Sequence, residues 1–87
     1  MDDSPLKFPC ELPVKVFGRN DAAFRSAALA IVRRHFDAFD ESEALSERTS
    51  RADRYLSLTI TVRAESRAQV DALYRELTAN EAILMVL

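Results

Sequence analysis

Apolar and polar residues alternate along two stretches of the chain, which is the pattern of β-strands that bury one face. Residues 12–17 (LPVKVF) follow it, with Gly18 expected to end the strand, and residues 55–64 (YLSLTITVRA) follow it over their whole length. A weaker strand pattern covers residues 44–50, and the polar residues 51–54 predict a hairpin turn. Residues 83–87 (ILMVL) predict a last strand that is apolar on both sides.

Apolar residues at three- and four-residue spacing predict two helices. The first is expected to begin at an Asn20 N-cap, followed by the favourable charge of Asp21, and to end near His35. Its apolar stripe consists of Phe24, Ala27, Ala28, Ile31 and Val32. The second begins at a capping box formed by Ser66 and Gln69, and its stripe consists of Val70, Leu73, Tyr74 and Leu77.

The order strand, helix, strand, strand, helix, strand predicts an α+β fold, a ferredoxin-like βαββαβ two-layer sandwich. Two helices would cover one face of a four-stranded antiparallel sheet. Residues 10–87 form this single domain, and residues 1–9, which include Pro5 and Pro9, are expected to form an extended N-terminal arm. Residues 36–43 are an acidic connection whose Phe36 and Phe39 should pack back onto the domain.

The other face of this sheet is expected to remain open and to be the interaction surface. If the alternation is followed through the two central strands, this face carries Lys15, Phe17, Tyr55, Ser57, Thr59, Thr61 and Arg63. The last strand should lie at a sheet edge, where apolar residues invite pairing with another chain. Two alternatives account for it: the N-terminal arm covers it through Leu6 and Phe8, or the protein forms a homodimer.

The charge balance limits the class of partner. The chain has 87 residues, a formal net charge of −2 and a single cysteine, Cys10. A net negative protein offers no general attraction to nucleic acid or to anionic membranes, so we expect neither partner. The apolar stretches are too short to span a bilayer and the first residues are acidic, so we expect a cytoplasmic protein.

Residues suited to catalysis are sparse. His35 is the only histidine, and its expected place at the end of a helix favours a structural role. The acidic residues of the connection lack the spacing and the glycine of a calcium loop; these are Asp37, Asp40, Glu41, Glu43 and Glu47. We therefore expect no enzyme activity, no metal site and no cofactor.

An RNA-binding role for the open face is the less favoured alternative. Sheets of this topology can stack bases on exposed aromatic residues, and Phe17 and Tyr55 are available. The strand LSLTITVR nevertheless lacks the aromatic pattern of an RNA recognition motif. The arginines Arg48, Arg51 and Arg54 are expected to form part of an ordinary solvated hairpin.

Several segments together resemble the YbeD-like family of small uncharacterised bacterial proteins. They are FP at residues 8–9, V-x-V-x-G-x at 14–19, RH at 34–35, LSLTITVRA at 56–64, QVDALYREL at 69–77 and ILMVL at 83–87. The resemblance covers nearly the whole chain and implies a ferredoxin-like fold close to the ACT regulatory domain. It implies no catalytic residues.

The similarity to ACT domains implies a small-molecule site in the loop between the first strand and the first helix. The candidate residues are Gly18, Arg19 and Asn20, because free amides at a helix start and an arginine can hold a carboxylate or phosphate. The chain lacks the second glycine that ACT domains often place there. The expected function is therefore a non-catalytic regulatory or protein-interaction module with an unknown protein partner, and the alternative is a sensor of an amino acid or another anionic metabolite.

Overall fold

The computed structural model describes residues 7–36 and 40–87 of the chain. Strand β1 spans Cys10–Arg19 and helix α1 spans Ala22–His35. A short helix α2, Glu41–Ala44, leads into strand β2, Leu45–Thr49. Strand β3 spans Tyr55–Ala64, helix α3 spans Arg67–Ala79 and strand β4 spans Ile83–Val86.

The strands form one antiparallel sheet in the order β2-β3-β1-β4. The two long strands, β1 and β3, pair over ten residues at the centre, while β2 and β4 form the edges. Helices α1 and α3 pack on each other and on one side of this sheet. The predicted ferredoxin-like βαββαβ sandwich is confirmed.

The core lies between the helices and one face of the sheet. Alternate residues of β3, from Leu56 to Ala64, are buried, as are Val14 and Val16 of β1. The helices contribute Phe24, Ala28, Leu29, Ile31, Val32, Leu73 and Leu77. The predicted stripes therefore face the core, although Ala27, Val70 and Tyr74 are only partly buried.

The prediction that Gly18 ends the first strand is wrong. β1 continues to Arg19, and Gly18 still pairs with Leu56 of β3 and with Ile83 of β4. Gly18 faces the helices, where a Cβ atom would overlap the ring of Phe24. The glycine is required because the aromatic ring packs directly on the strand backbone, not because the strand stops there.

The helix starts differ from the predictions in two details. Asp21, not Asn20, is the N-cap of α1, and its Oδ1 accepts a hydrogen bond from the Phe24 amide at 2.8 Å. The Asn20 side chain instead donates to the Asp53 carbonyl oxygen at 2.9 Å, which ties it to the hairpin. At α3, Ser66 accepts from the Gln69 amide as predicted, but the Gln69 side chain accepts from the Glu65 amide, one residue earlier than in a capping box.

The predicted hairpin is present, and a 3₁₀ turn at Arg51–Asp53 closes it with Ala52 and Asp53 at positive φ of 68° and 56°. The connection before it is more ordered than expected, because residues 41–44 form α2. Phe36 is buried as predicted, whereas Phe39 lies outside the described residues. Of the predicted arm, Phe8 packs partly buried against the core, and residues 1–6 lie outside the described part of the chain.

Candidate functional site

The central strands bring the predicted interaction residues together on the sheet face away from the helices. Cross-strand partners in β1 and β3 project to the same side, so Lys15 lies beside Thr59 and Phe17 beside Ser57. Towards the hairpin, Arg19 lies opposite Tyr55. The register also places Thr61 and Arg63 of β3 on this side, which we call the open face.

The edge strands extend the open face with residues that the sequence did not assign to it. Ser46 and Arg48 of β2 lie opposite Thr59 and Ser57. Met85 of β4 lies opposite Phe17. Leu87 lies opposite Lys15, since the two residues exchange backbone hydrogen bonds of 2.8 and 3.2 Å.

Two rows of side chains therefore cross the whole sheet. One row runs from Arg48 through Ser57 and Phe17 to Met85, and the next runs from Ser46 through Thr59 and Lys15 to Leu87. Each row begins with a polar residue at β2 and ends with an apolar one at β4. The open face thus has a polar side and an apolar side.

The apolar side of the open face is accessible to solvent. Met85 is 51% exposed and Leu87 is 63% exposed, while Phe17 is partly buried between its neighbours. Leu84, beside the irregularity in the β1–β4 pairing, is 57% exposed. Leu6, which the sequence offers as part of a cover for this strand, lies outside the described residues.

The three residues predicted to bind an anionic ligand, Gly18, Arg19 and Asn20, have different surroundings. Gly18 is buried against Phe24, and Asn20 is hydrogen-bonded to the hairpin. Only Arg19 of the three predicted residues is both exposed and without a hydrogen bond or ion pair from its side chain to any described residue. The arginine shares the open face with Tyr55 rather than extending towards the start of α1.

Ion pairs join α1 to the acidic connection on the other side of the sheet. Arg25 contacts Glu47 of β2 at 2.5 Å and Glu41 of α2 at 3.1 Å, and Arg33 contacts Glu41 at 2.5 Å. The hydrogen bond that Arg25 donates to the Glu47 carboxylate raises the pKa of Arg25 above its ordinary value. Two of the acids considered as cation ligands are therefore occupied by arginines. No group of three or more metal-ligating side chains is gathered within residues 7–36 and 40–87.

His35 links the ends of the two long helices. Its Nε2 lies 2.8 Å from Oε1 of Glu76, which also pairs with Arg34. Gln69 donates from Nε2 to the His35 carbonyl oxygen at 3.0 Å. These contacts give His35 a structural position between α1 and α3, in keeping with the role inferred from the sequence.

Comparisons with known proteins agree with the resemblance drawn from the motifs. Residues 3–87 match the family described as a protein of unknown function, DUF493. The chain belongs to this family. A UPF0250 protein of Nitrosomonas europaea is 37% identical over 86 residues, covering 99% of this chain and 98% of that protein. A UPF0250 protein of Leptothrix cholodnii is 41% identical over 86 residues, with 99% and 93% of the two chains covered. The YbeD-like assignment is confirmed.

Solved structures show the same fold at much lower sequence similarity. Protein HP0495 from H. pylori superposes with a TM-score of 0.73 at 11% identity, covering 98% of this chain and 89% of that one. The uncharacterized protein TM1266 from Thermotoga maritima gives a TM-score of 0.60 at 7% identity, with 88% and 92% covered. At these identities the likeness concerns the fold alone.

Among the residues described for the DUF493 chain, no helix is long and apolar enough to cross a membrane.

Proposed function

We propose that this DUF493 protein is a non-catalytic interaction module that binds a protein partner through the open face. The observation that carries the proposal is the pair of side-chain rows, which place Phe17, Met85 and Leu87 in line with hydroxyl groups and exposed cations. Accessible apolar side chains beside a polar rim are the composition of a protein-binding surface. If the protein is ACT-like in function as well as in fold, it acts as a regulatory module through the partner that it binds.

The alternative of a small-molecule sensor has narrower support. The space beside Gly18 is filled by the Phe24 ring, and the Phe24 amide already donates to Asp21. A carboxylate or phosphate at this loop would depend mainly on Arg19 and on the remaining amides of the helix start. If a metabolite is identified, calorimetry on Arg19→Ala decides the alternative, because loss of its binding without loss of helicity would favour the sensor.

The test of the main proposal is affinity capture of the tagged protein from bacterial lysate, with mass spectrometry of the bound proteins. Tyr55→Ala and Arg63→Glu change exposed side chains of the open face, and Arg75→Glu on α3 is the control with the same charge change. We expect a partner retained by the wild type and by the control, and lost from both open-face variants. A partner retained by all variants would contradict the proposal.

Self-association is tested on the purified protein. Light scattering gives its mass, and the homodimer alternative predicts twice the monomer mass. β4 is an edge strand with exposed Leu84, Met85 and Leu87, so a dimer that forms through it should dissociate in Leu84→Lys. A dimer that persists in this variant would place the self-interaction elsewhere.

A further inference from the structure

Cations beside α1 and cations on the open face have different surroundings. Arg25, Arg33 and Arg34 pair with carboxylates on the helix side. In contrast, the open face and the hairpin carry five exposed cations that have no ion pair within the described residues: Lys15, Arg19, Arg48, Arg51 and Arg54. The formal net charge of −2 therefore conceals a separation of charge across the sheet.

Two of these cations share their rows with the apolar residues of the open face. Arg48 occupies the same row as Phe17 and Met85, and Lys15 occupies the same row as Leu87. Glu11 is the carboxylate that the register places on this face, and it lies opposite Arg63 at the far end from the hairpin. Around Phe17 the surface is thus apolar on one side and positively charged on the other.

We infer that the protein partner presents an acidic, amphipathic segment, with its apolar stripe on Phe17, Met85 and Leu87 and its carboxylates towards Lys15, Arg19 and Arg48. This inference rests on the proposed interaction function and adds the chemistry of the partner. Complementary charge around an apolar centre sets orientation and accelerates encounter. The arginines of the hairpin, Arg51 and Arg54, extend the positive field beyond the contact itself.

The exposed apolar side chains at the β4 ends of the rows distinguish this partner from a single-stranded nucleic acid. Nucleic acid would use Phe17 and Tyr55 for stacking and the cations for phosphates, but it has no apolar stripe to cover Met85 and Leu87. A helix with leucines on one side and glutamates beside them can cover the apolar side chains of the open face and pair with its cations. The charge and the exposed apolar side chains together favour an acidic protein segment.

The test uses a labelled synthetic helix of leucines and glutamates, and a matched peptide in which lysines replace the glutamates. Fluorescence anisotropy measures binding, and amide shifts of the isotope-labelled protein locate it. We expect binding of the acidic peptide alone, with shifts in β1, β3 and β4. Raising salt from about 0.1 M to about 1 M, which shortens the screening length from about 10 Å to about 3 Å, should weaken binding at least tenfold.

Two variants with the same charge change distinguish an effect of the open face from an effect of the net charge of the protein. We expect Arg48→Glu to weaken binding of the acidic peptide about tenfold, and Arg75→Glu on α3 to leave it within about twofold. Met85→Ala should weaken binding without changing its salt dependence. Equal effects of the two charge variants, or equal binding of the two peptides, would overturn the inference.

A ten-nucleotide oligouridylate serves as the competing probe. Tighter binding of this RNA than of the acidic peptide, with the same dependence on Arg48, would overturn the inference in favour of nucleic acid. A lysate partner that depends on Tyr55 but does not compete with the acidic peptide would overturn only the partner chemistry. Absence of any partner that depends on the open face would instead remove the proposed function.

Discussion

The two faces of the sheet are built from alternate residues of the same strands, yet they have opposite properties. In β3, Leu56, Leu58 and Ile60 are buried under the helices, while Ser57 and Thr59 point to the other side. Among the described residues, every side chain buried on the covered face is apolar. The open face exposes both cations and apolar side chains. The covered face therefore supplies the core that stabilises the fold, and the open face remains accessible to solvent.

The largest expected contrast is between neighbouring residues of β3. Leu58→Ala should lower the free energy of unfolding by about 2–5 kcal/mol, because it removes a fully buried side chain from the core. Thr59→Ala on the open face should change it by only about 0.5 kcal/mol. Urea denaturation of both variants measures the contrast, and similar losses from the two would contradict the assignment of the faces.

A smaller loss is expected where the covered face has no room for a side chain. Gly18→Ala should cost about 1–3 kcal/mol, because the new Cβ collides with the Phe24 ring. Phe24→Leu supplies the control, since a smaller side chain should relieve the collision and make the double variant more stable than the sum of the single losses predicts. Simple additivity in urea denaturation would show that the ring and the glycine do not interact.

The smallest effect is expected at Tyr74, where the covered side reaches the β4 edge. Its hydroxyl donates to the Leu87 carbonyl oxygen at 3.0 Å, and burial raises the pKa of Tyr74 above 10.0. Since the folded state holds this proton more tightly, the contribution to stability is complete below about pH 10 and is lost as pH rises through the folded pKa. Tyr74→Phe should therefore lose less stability than the wild type between about pH 8 and about pH 11. Parallel urea titrations at the two pH values check this, and identical pH dependence would contradict it.

Much of the candidate site followed from the alternation in β1 and β3. That period alone predicts that Phe17, Tyr55 and Arg63 lie on the open face, and the register of β1 and β3 places them there. Arg48 and Met85 could not be assigned in the same way. The pattern around Arg48 is weak and short, and Met85 belongs to a segment that is apolar at every position, so neither carries a period that separates one face from the other.

The errors near Gly18 have a related cause. The sequence of residues 18–21 is compatible both with a strand that ends at the glycine and with a strand that continues under an aromatic ring. Only the position of Phe24 on the strand separates the two, and that position depends on how α1 packs. Asn20 was a reasonable N-cap by residue type, but its bond to Asp53 requires the hairpin to lie beside the helix start.

The sequence by itself determined the order of the elements, the extent of β3, the covered sides of α1 and α3, and the family, because these depend on residue spacing within single segments. Only the tertiary structure decided which edge residues share the open face and which cations pair with acids. Strand register joins Phe17 to Met85 across the chain, and helix packing joins Arg25 to Glu47. Such partners are far apart in sequence, so no local pattern contains them.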